Sequence, residues 1–381
     1  MSDQANPLPY GRQSINDDDI AAVVEVLRSD FLTTGPMVDR FENVLCDYTG
    51  AGHAVAVNSG TAALHTAYFA AGLRPGDEII TSPMTFAATA NAALYLGATV
   101  RFVDIEPDTG NIDPDLIEAA ITDKTRLIVP VDYAGHPADY DRINRIAAEN
   151  DLKVVADAAH SLGATYHGRR CGGLAHATTT SFHPVKPLTT AEGGAVLTDD
   201  AEIADRAARF RTHGIVKGKQ AVDREGPWWC EMHDLGFNYR LSDLHCALGI
   251  SQLRRLDGFV ARRREIAAGY NRALAGVDGY ELPVVREGVE SGWHLYAIRV
   301  TDPARRRPVV ERLHEAGIGV QVHYIPVHLH PYYRKLGHRS GTCPIAEDFY
   351  DRVLSLPMFP AMTDGDVQRV IDTCIRLMDG P

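Results

Sequence analysis

Residues 178–199 read TTTSFHPVKPLTTAEGGAVLTD. Two β-rich runs, 178–184 and 194–199, are separated by a connection too short for a helical crossover, so they are expected to pair antiparallel. The connection is stiff. Pro184 and Pro187 fix their own φ angles and push His183 and Lys186 toward extended conformations. A flexible, charged side chain is thereby held on backbone with little freedom, as a lysine needs when it must meet a bound molecule at a set angle.

Upstream, five further strand candidates alternate with helical patterns: HAVAVN (53–58), DEIITS (77–82), TVRFVD (99–104), RLIVPVD (126–132) and LKVVAD (152–157). Between them lie stretches such as TAALHTAYFAAG (61–72) and PADYDRINRIAAEN (137–150). This alternation predicts an α/β fold with a mostly parallel, seven-stranded sheet covered by helices on both faces. A long helical pattern follows at 241–274, with Gly249 or Gly258 as expected breaks. From about residue 290 the texture changes: GWHLYAIRV (292–300) and IGVQVHYIP (318–326) read as strands around the helical RPVVERLHEAG (307–317). The expected division is a large domain, 1–260, and a smaller α+β C-terminal domain, 261–381, with the first ~35 residues packing on the latter.

The 381 residues carry a net charge of −12. That charge argues against general affinity for nucleic acid or anionic membrane, which reward a basic surface. A small anionic ligand is still admissible where local cations or helix N-termini receive it. Six scattered cysteines without a C-x-x-C pair indicate neither a disulfide framework nor a zinc site and suit a reducing compartment. With a polar N-terminus and no long apolar run, the expected location is the cytoplasm.

Ligands of open α/β sheets bind beyond the carboxyl ends of the strands. The first strand ends in NSGTAAL (58–64), where Gly60 and Thr61 open a helix whose free N–H groups suit a phosphate. The fifth ends at Asp157, three residues before His160; the sixth is followed by Ser181 and Lys186. Phe86 follows the second strand within SPMTFAATANA (82–92). Each has an ordinary structural reading: a helix cap, a buried capping Asp, a core histidine, a turn serine, a core aromatic. Together they supply a phosphate cradle, a carboxylate for a ring nitrogen and a constrained lysine, the requirements for pyridoxal 5′-phosphate (PLP).

The ordered motifs NSGTAAL, TFAATANA, DAAHSLGA, SFHPVKPLTTAEGG and GFNYRLSDLHCALGISQL resemble the sugar-nucleotide aminotransferases of the DegT group, which are fold-type-I, aspartate aminotransferase-like PLP enzymes. The resemblance runs from SDFLTTGP (29–36) to LSLPMFP (354–360). It implies that Lys186 forms the Schiff base, Asp157 pairs with the pyridine nitrogen and His160 sits near the ring. It further implies that Gly60, Thr61 and Ser181 receive the phosphate, that Phe86 stacks, and that Asn238 reaches the cofactor of a neighbouring subunit in a homodimer.

Within the family, SFHPVKPLTTAEGG, GPWWCEMHDLGFNYR and VQVHYIPVHLHPYYRKLG are most similar to the members of the pseudaminic acid route that aminate a UDP-linked 4-keto-6-deoxy sugar. Tyr10, Leu32, Thr33, His323 and Tyr324 match their substrate contacts. L-Glutamate is the implied amino donor. The alternatives are another nucleotide-4-keto sugar, such as a UDP-4-keto-pentose or UDP-4-keto-6-deoxy-GlcNAc, and a non-catalytic PLP-binding protein. A PLP-dependent sugar dehydratase is opposed by Lys186, since family members with that chemistry carry histidine there. No metal is expected at His323, His328 and His330, whose spacing fits no H-E-x-x-H pattern. RRR at 262–264 reads as a solvated helix face, and Lys217 and Lys219 as candidates to meet a diphosphate.

Overall fold

The computed structural model describes residues 7–379. Its centre is a seven-stranded sheet of β1 (His53–Val57), β2 (Glu78–Thr81), β3 (Thr99–Phe102), β4 (Thr125–Val129), β5 (Lys153–Asp157), β6 (Ala177–Ser181) and β7 (Gly194–Thr198). The strands lie in the order β1-β7-β6-β5-β4-β2-β3. All neighbours from β6 to β3 run parallel, and β7 is antiparallel to both β6 and β1. The expected α/β fold is therefore present, with the short 182–193 connection producing the antiparallel strand. β2 and β7 are short runs buried along their whole length, and β4 and β5 are buried except at Arg126 and Lys153, as strands covered on both faces must largely be.

Helices cover the sheet and bring their N-termini to the strand ends. Gly60–Ala71 is capped by the Ser59 hydroxyl, which accepts from Ala62 N at 3.0 Å, and ends at Gly72 with φ of 100°. This helix and Ala88–Tyr95 pack on one face around Val55, Leu127, Val129 and Val155; Ile80, Ile128, Val154 and Ala156 face the helix Tyr140–Glu149 on the other.

The 241–274 pattern is two helices, Asp243–Leu253 and Leu256–Leu274, separated at Arg254 and Arg255. Neither expected glycine makes the break. Gly249 lies inside the first helix, where a Cβ would stand 2.6 Å from the Phe41 ring, so it serves close packing; Gly258 lies inside the second. At the break, Arg255 turns its guanidinium onto the carboxylate of Asp19, which is buried and also accepts from Gln252 Nε2 at 2.6 Å. That contact docks the helix Asp17–Leu27, itself started by an Asn16–Asp19 capping box.

The second hydrophobic cluster joins Ile266, Tyr270 and Leu274 to Tyr296, Ile298, Leu354, Leu356 and Val370. Its sheet contains Tyr296–Val300 flanked by Tyr280–Glu281 and Val353–Leu356. The segment 318–326, read as a strand, forms only single bridges at Ile318 (to Leu8) and Gln321 (to Ser355). Beyond Gln321 it leaves the sheet and delivers His323 and Tyr324 to a cavity at the strand ends. RRR at 262–264 is also not a uniformly solvated face. Arg262 pairs with Glu265 and Asp364, but Arg263 is only 1% exposed.

Candidate active site

The carboxyl ends of β1, β5 and β6 and the loop after β2 open onto one cavity of about 360 Å³. Gly60, Thr61, Phe86, Asp157, His160, Ser181 and Lys186 line it, together with Tyr10, His323 and Tyr324. Leu32, Thr33 and Asn238 do not line the cavity of their own chain, nor do Lys217 and Lys219. Asn238 lies along the free edge of β1, where its carbonyl accepts from Asn58 Nδ2 at 3.2 Å. Sequence reasoning passed over His294, a buried cavity residue two positions before the strand Tyr296–Val300. It carries no motif of its own.

Lys186 sits on a braced loop. Phe182 is fully buried against Phe41, its N–H bonds Gly193 O at 2.9 Å, and its carbonyl accepts from Thr190 N and from Thr189 Oγ1. The Lys186 N–H bonds His183 O at 2.9 Å, closing the turn set up by the two prolines. The glycine pair is demanded by contact: a Cβ on Gly194 would fall 2.6 Å from Ser59 O, and one on Gly193 2.3 Å from Thr190 Oγ1. Among the described residues no hydrogen bond or ion pair holds the Lys186 amine. Burial lowers its pKa to about 8, opposed by the negative charge of Asp157.

Asp157 is buried at the end of β5. Its Oδ2 accepts from Thr89 Oγ1 at 2.7 Å and its Oδ1 from Ala159 N at 3.2 Å. Burial raises its pKa, while these two bonds and the nearby Lys186 pull it down. A carboxylate so placed gains from a further N–H donor in the cavity.

Opposite lies a wall of uncharged rings. Tyr324 OH is 3.1 Å from His160 Nε2, and His160 Nδ1 is buried without a partner. The His160 and His294 rings are 4.3 Å apart, and His323 Nδ1 meets Ser355 Oγ at 2.9 Å. Burial first, then the positive Lys186, holds the His323 imidazole down to about 4 and His160 well below its usual range. These histidines are neutral at physiological pH. Tyr10 packs on His323 with ring centroids 5.5 Å apart, placing the N-terminal segment at the rim.

One end of the cavity is built of backbone. Ser59 caps only the Ala62 N–H, so the N–H groups of Gly60 and Thr61 have no partner among the described residues. A Cβ on Gly60 would stand 2.8 Å from Ser181 Cβ and 3.0 Å from its Oγ. The bare glycine thus leaves a concave surface with two N–H groups, a hydroxyl and the positive end of a 12-residue helix.

The family model for the DegT/DnrJ/EryC1/StrS aminotransferases matches residues 13–375. The chain is 42% identical over 379 residues to the spore coat polysaccharide biosynthesis protein SpsC of Bacillus subtilis, covering 98% of this chain and 97% of that one. It is 39% identical over 379 residues to the UDP-4-amino-4,6-dideoxy-N-acetyl-beta-L-altrosamine transaminase of Campylobacter jejuni, covering 98% of each. Among solved structures it superposes on Helicobacter pylori PseC, an aminotransferase involved in pseudoaminic acid biosynthesis, with a TM-score of 0.93 and 34% identity over 98% of this chain and all of that one. Solved structures with this fold include a PLP form. The residues present suit that cofactor: the Gly60 cradle would receive its phosphate, Asp157 would face its ring nitrogen and Lys186 would meet its aldehyde.

Proposed function

Because this chain belongs to the DegT/DnrJ/EryC1/StrS family and is a PLP-dependent sugar aminotransferase, we propose that it transfers an amino group from L-glutamate to C4 of a UDP-linked 4-keto-6-deoxy sugar. The proposed acceptor is UDP-2-acetamido-2,6-dideoxy-L-arabino-hex-4-ulose, on a route of the pseudaminic acid type. The observation that carries the reading is the meeting of Lys186, Asp157 and the Gly60–Thr61–Ser181 cradle in one cavity. The named activities of the C. jejuni and H. pylori relatives support the choice of acceptor.

PLP supplies the electron sink that lets a proton leave the donor's α-carbon. The chain's own residues do the rest. Gly60, Thr61 and Ser181 would fix one end of the cofactor; Asp157, held by Thr89 and Ala159 N, would keep a proton on the ring nitrogen. His160 would border the ring and Phe86 would cover a face. Lys186 would move protons at its Nζ: burial brings its pKa down to about 8, so near neutral pH a far larger share of this amine is uncharged than in an ordinary lysine. His323, Tyr324 and Tyr10 line the sugar side. Their unionised rings bind hydroxyl and carbonyl groups without competing for the lysine's proton.

Leu32, Thr33 and Asn238 lie outside their own chain's cavity; in the proposed homodimer with shared sites, Asn238 would reach the cofactor of the second copy. Among the described residues no helix is long and apolar enough to cross a membrane, and the working location is the cytoplasm. Purified protein with L-glutamate and a panel of UDP-4-keto sugars tests the reading. Release of 2-oxoglutarate with formation of the 4-amino sugar is expected; turnover of none of the panel would overturn it.

A further inference from the structure

We propose that His294 is the residue that receives the α-carboxylate of the amino donor. This rests on the transamination reading above. An amino acid whose nitrogen reaches Lys186 brings its carboxylate into a largely enclosed space, where a carboxylate needs donors. Among the described residues lining the cavity there is no arginine, and Lys186, needed for the chemistry, is its lone lysine. Asp157 and Glu192 repel an anion. The Gly60 and Thr61 N–H groups serve the phosphate, the Tyr324 hydroxyl is engaged with His160, and His323 Nδ1 with Ser355.

His294 is open. The residue is 4% exposed, and among the described residues its ring makes no hydrogen bond and its Nδ1 is buried without a partner. It is also held rigidly. Arg263 donates from one terminal nitrogen to Trp293 O, His294 O and Met358 O at 3.2, 3.1 and 2.8 Å. Gly135 presses on the same segment, where a Cβ would stand 2.9 Å from His294 N, and Ser291 Oγ bonds Gly135 O at 3.1 Å. Trp293, with φ of 47°, occupies left-handed backbone that a bulky residue rarely adopts, a conformation kept only where the surroundings impose it.

Arg263 adds the electrostatics. It is buried, and among the described residues no carboxylate pairs with it. An unpaired guanidinium in a poorly polarisable interior keeps its field, so the wall behind His294 attracts anions. The ring supplies the directed N–H and the guanidinium the charge. A direct arginine contact would instead place a cation beside Lys186. The arrangement gives the α-carboxylate a seat close to the lysine while the cation stays behind the backbone.

The test titrates holoenzyme by its cofactor absorbance with two probes. α-Methyl-L-glutamate carries the α-carboxylate but has no α-proton to lose; 4-aminobutanoate has an amine and a distal carboxylate but no α-carboxylate. His294→Phe should raise the half-saturating concentration of the first at least tenfold and leave that of the second within twofold. His294→Gln, which keeps an N–H donor, should restore most of the loss; if the Phe variant does not fold, Gln is compared with His294→Leu. Unchanged affinity for α-methyl-L-glutamate, or equal loss for both probes, would overturn the assignment. A wild-type band that neither probe nor L-glutamate moves would instead overturn transamination itself, and this assignment with it.

Discussion

Thr89 Oγ1 donates a 2.7 Å hydrogen bond to Asp157 Oδ2, and Thr85 lies 2.6 Å behind it, hydroxyl to hydroxyl. Both threonines are buried. The pair therefore acts on the carboxylate proposed to face the cofactor's ring nitrogen. It favours the charged form, against burial, which favours the neutral one. Thr89→Val removes the donor at nearly constant volume. A hydrogen bond to a charged group is worth about 1.5–3 kcal/mol, so kcat should fall about tenfold or more with the fold retained. Asp157→Asn should cost considerably more. Steady-state kinetics on the two variants checks the order; Thr89→Val turning over like wild type would show the bond to be idle.

The depressed pKa of Lys186 predicts how the cofactor-free protein captures PLP. Imine formation needs the neutral amine, whose fraction rises with pH. The association rate should climb to a plateau with a midpoint near 8, the value burial sets, rather than above 10. Asp157 raises that pKa, so Asp157→Asn should move the midpoint lower still. Stopped-flow absorbance across pH 6–10, a range of about four units around the midpoint, reads both. Lys186→Arg should keep the fold and lose both capture and transamination.

Gly60→Ala tests the cradle. The new methyl would meet Ser181 Cβ at 2.8 Å, in a place where the phosphate must also fit. Overpacking of this kind costs about 1–3 kcal/mol, and it should appear as a roughly tenfold or greater rise in the PLP dissociation constant. Cofactor release followed by fluorescence would measure it. A small change in melting temperature with a large change in cofactor affinity is the expected signature.

Asp19→Asn probes the N-terminal attachment, far from the chemistry. Its carboxylate is buried and serves Arg255, Gln252 and the Asn16 cap together. Breaking a buried pair costs about 3–5 kcal/mol, and the partial exposure of Arg255 reduces this to about 2–3. Because residues 7–14 run from this helix to Tyr10 at the cavity rim, the affinity for the keto sugar should weaken as well. Thermal unfolding and the KM for the sugar report the two effects separately.

The alternation of strand and helix was readable because a buried parallel strand must be a short apolar run, and each such run in 53–157 became a strand at nearly its expected place. The Pro-x-Lys-Pro loop was readable for a related reason: proline acts on its own backbone and its neighbour, whatever surrounds them. The glycines were harder. Gly249 looked like a helix break because a sequence records the missing side chain and not the Phe41 ring that occupies the space. Arg263 looked solvated within a triple of arginines, although the carbonyls that accept from it come from residues 293, 294 and 358.

The amino-acid sequence by itself determined the strand-end chemistry: Gly60, Asp157, Ser181 and Lys186 are placed by local pattern, because a residue at the end of a buried strand can point only into the crevice. Tertiary structure alone decided which distant side chains close that crevice, and in what charge state. His294, His323 and Tyr324 come from a second layer packed more than a hundred residues later, and their ring contacts exist only once the two hydrophobic clusters meet. The low pKa of Lys186 and the neutrality of the histidines follow from the water that this packing removes, and desolvation is a property of the assembled fold that no short stretch of chain possesses.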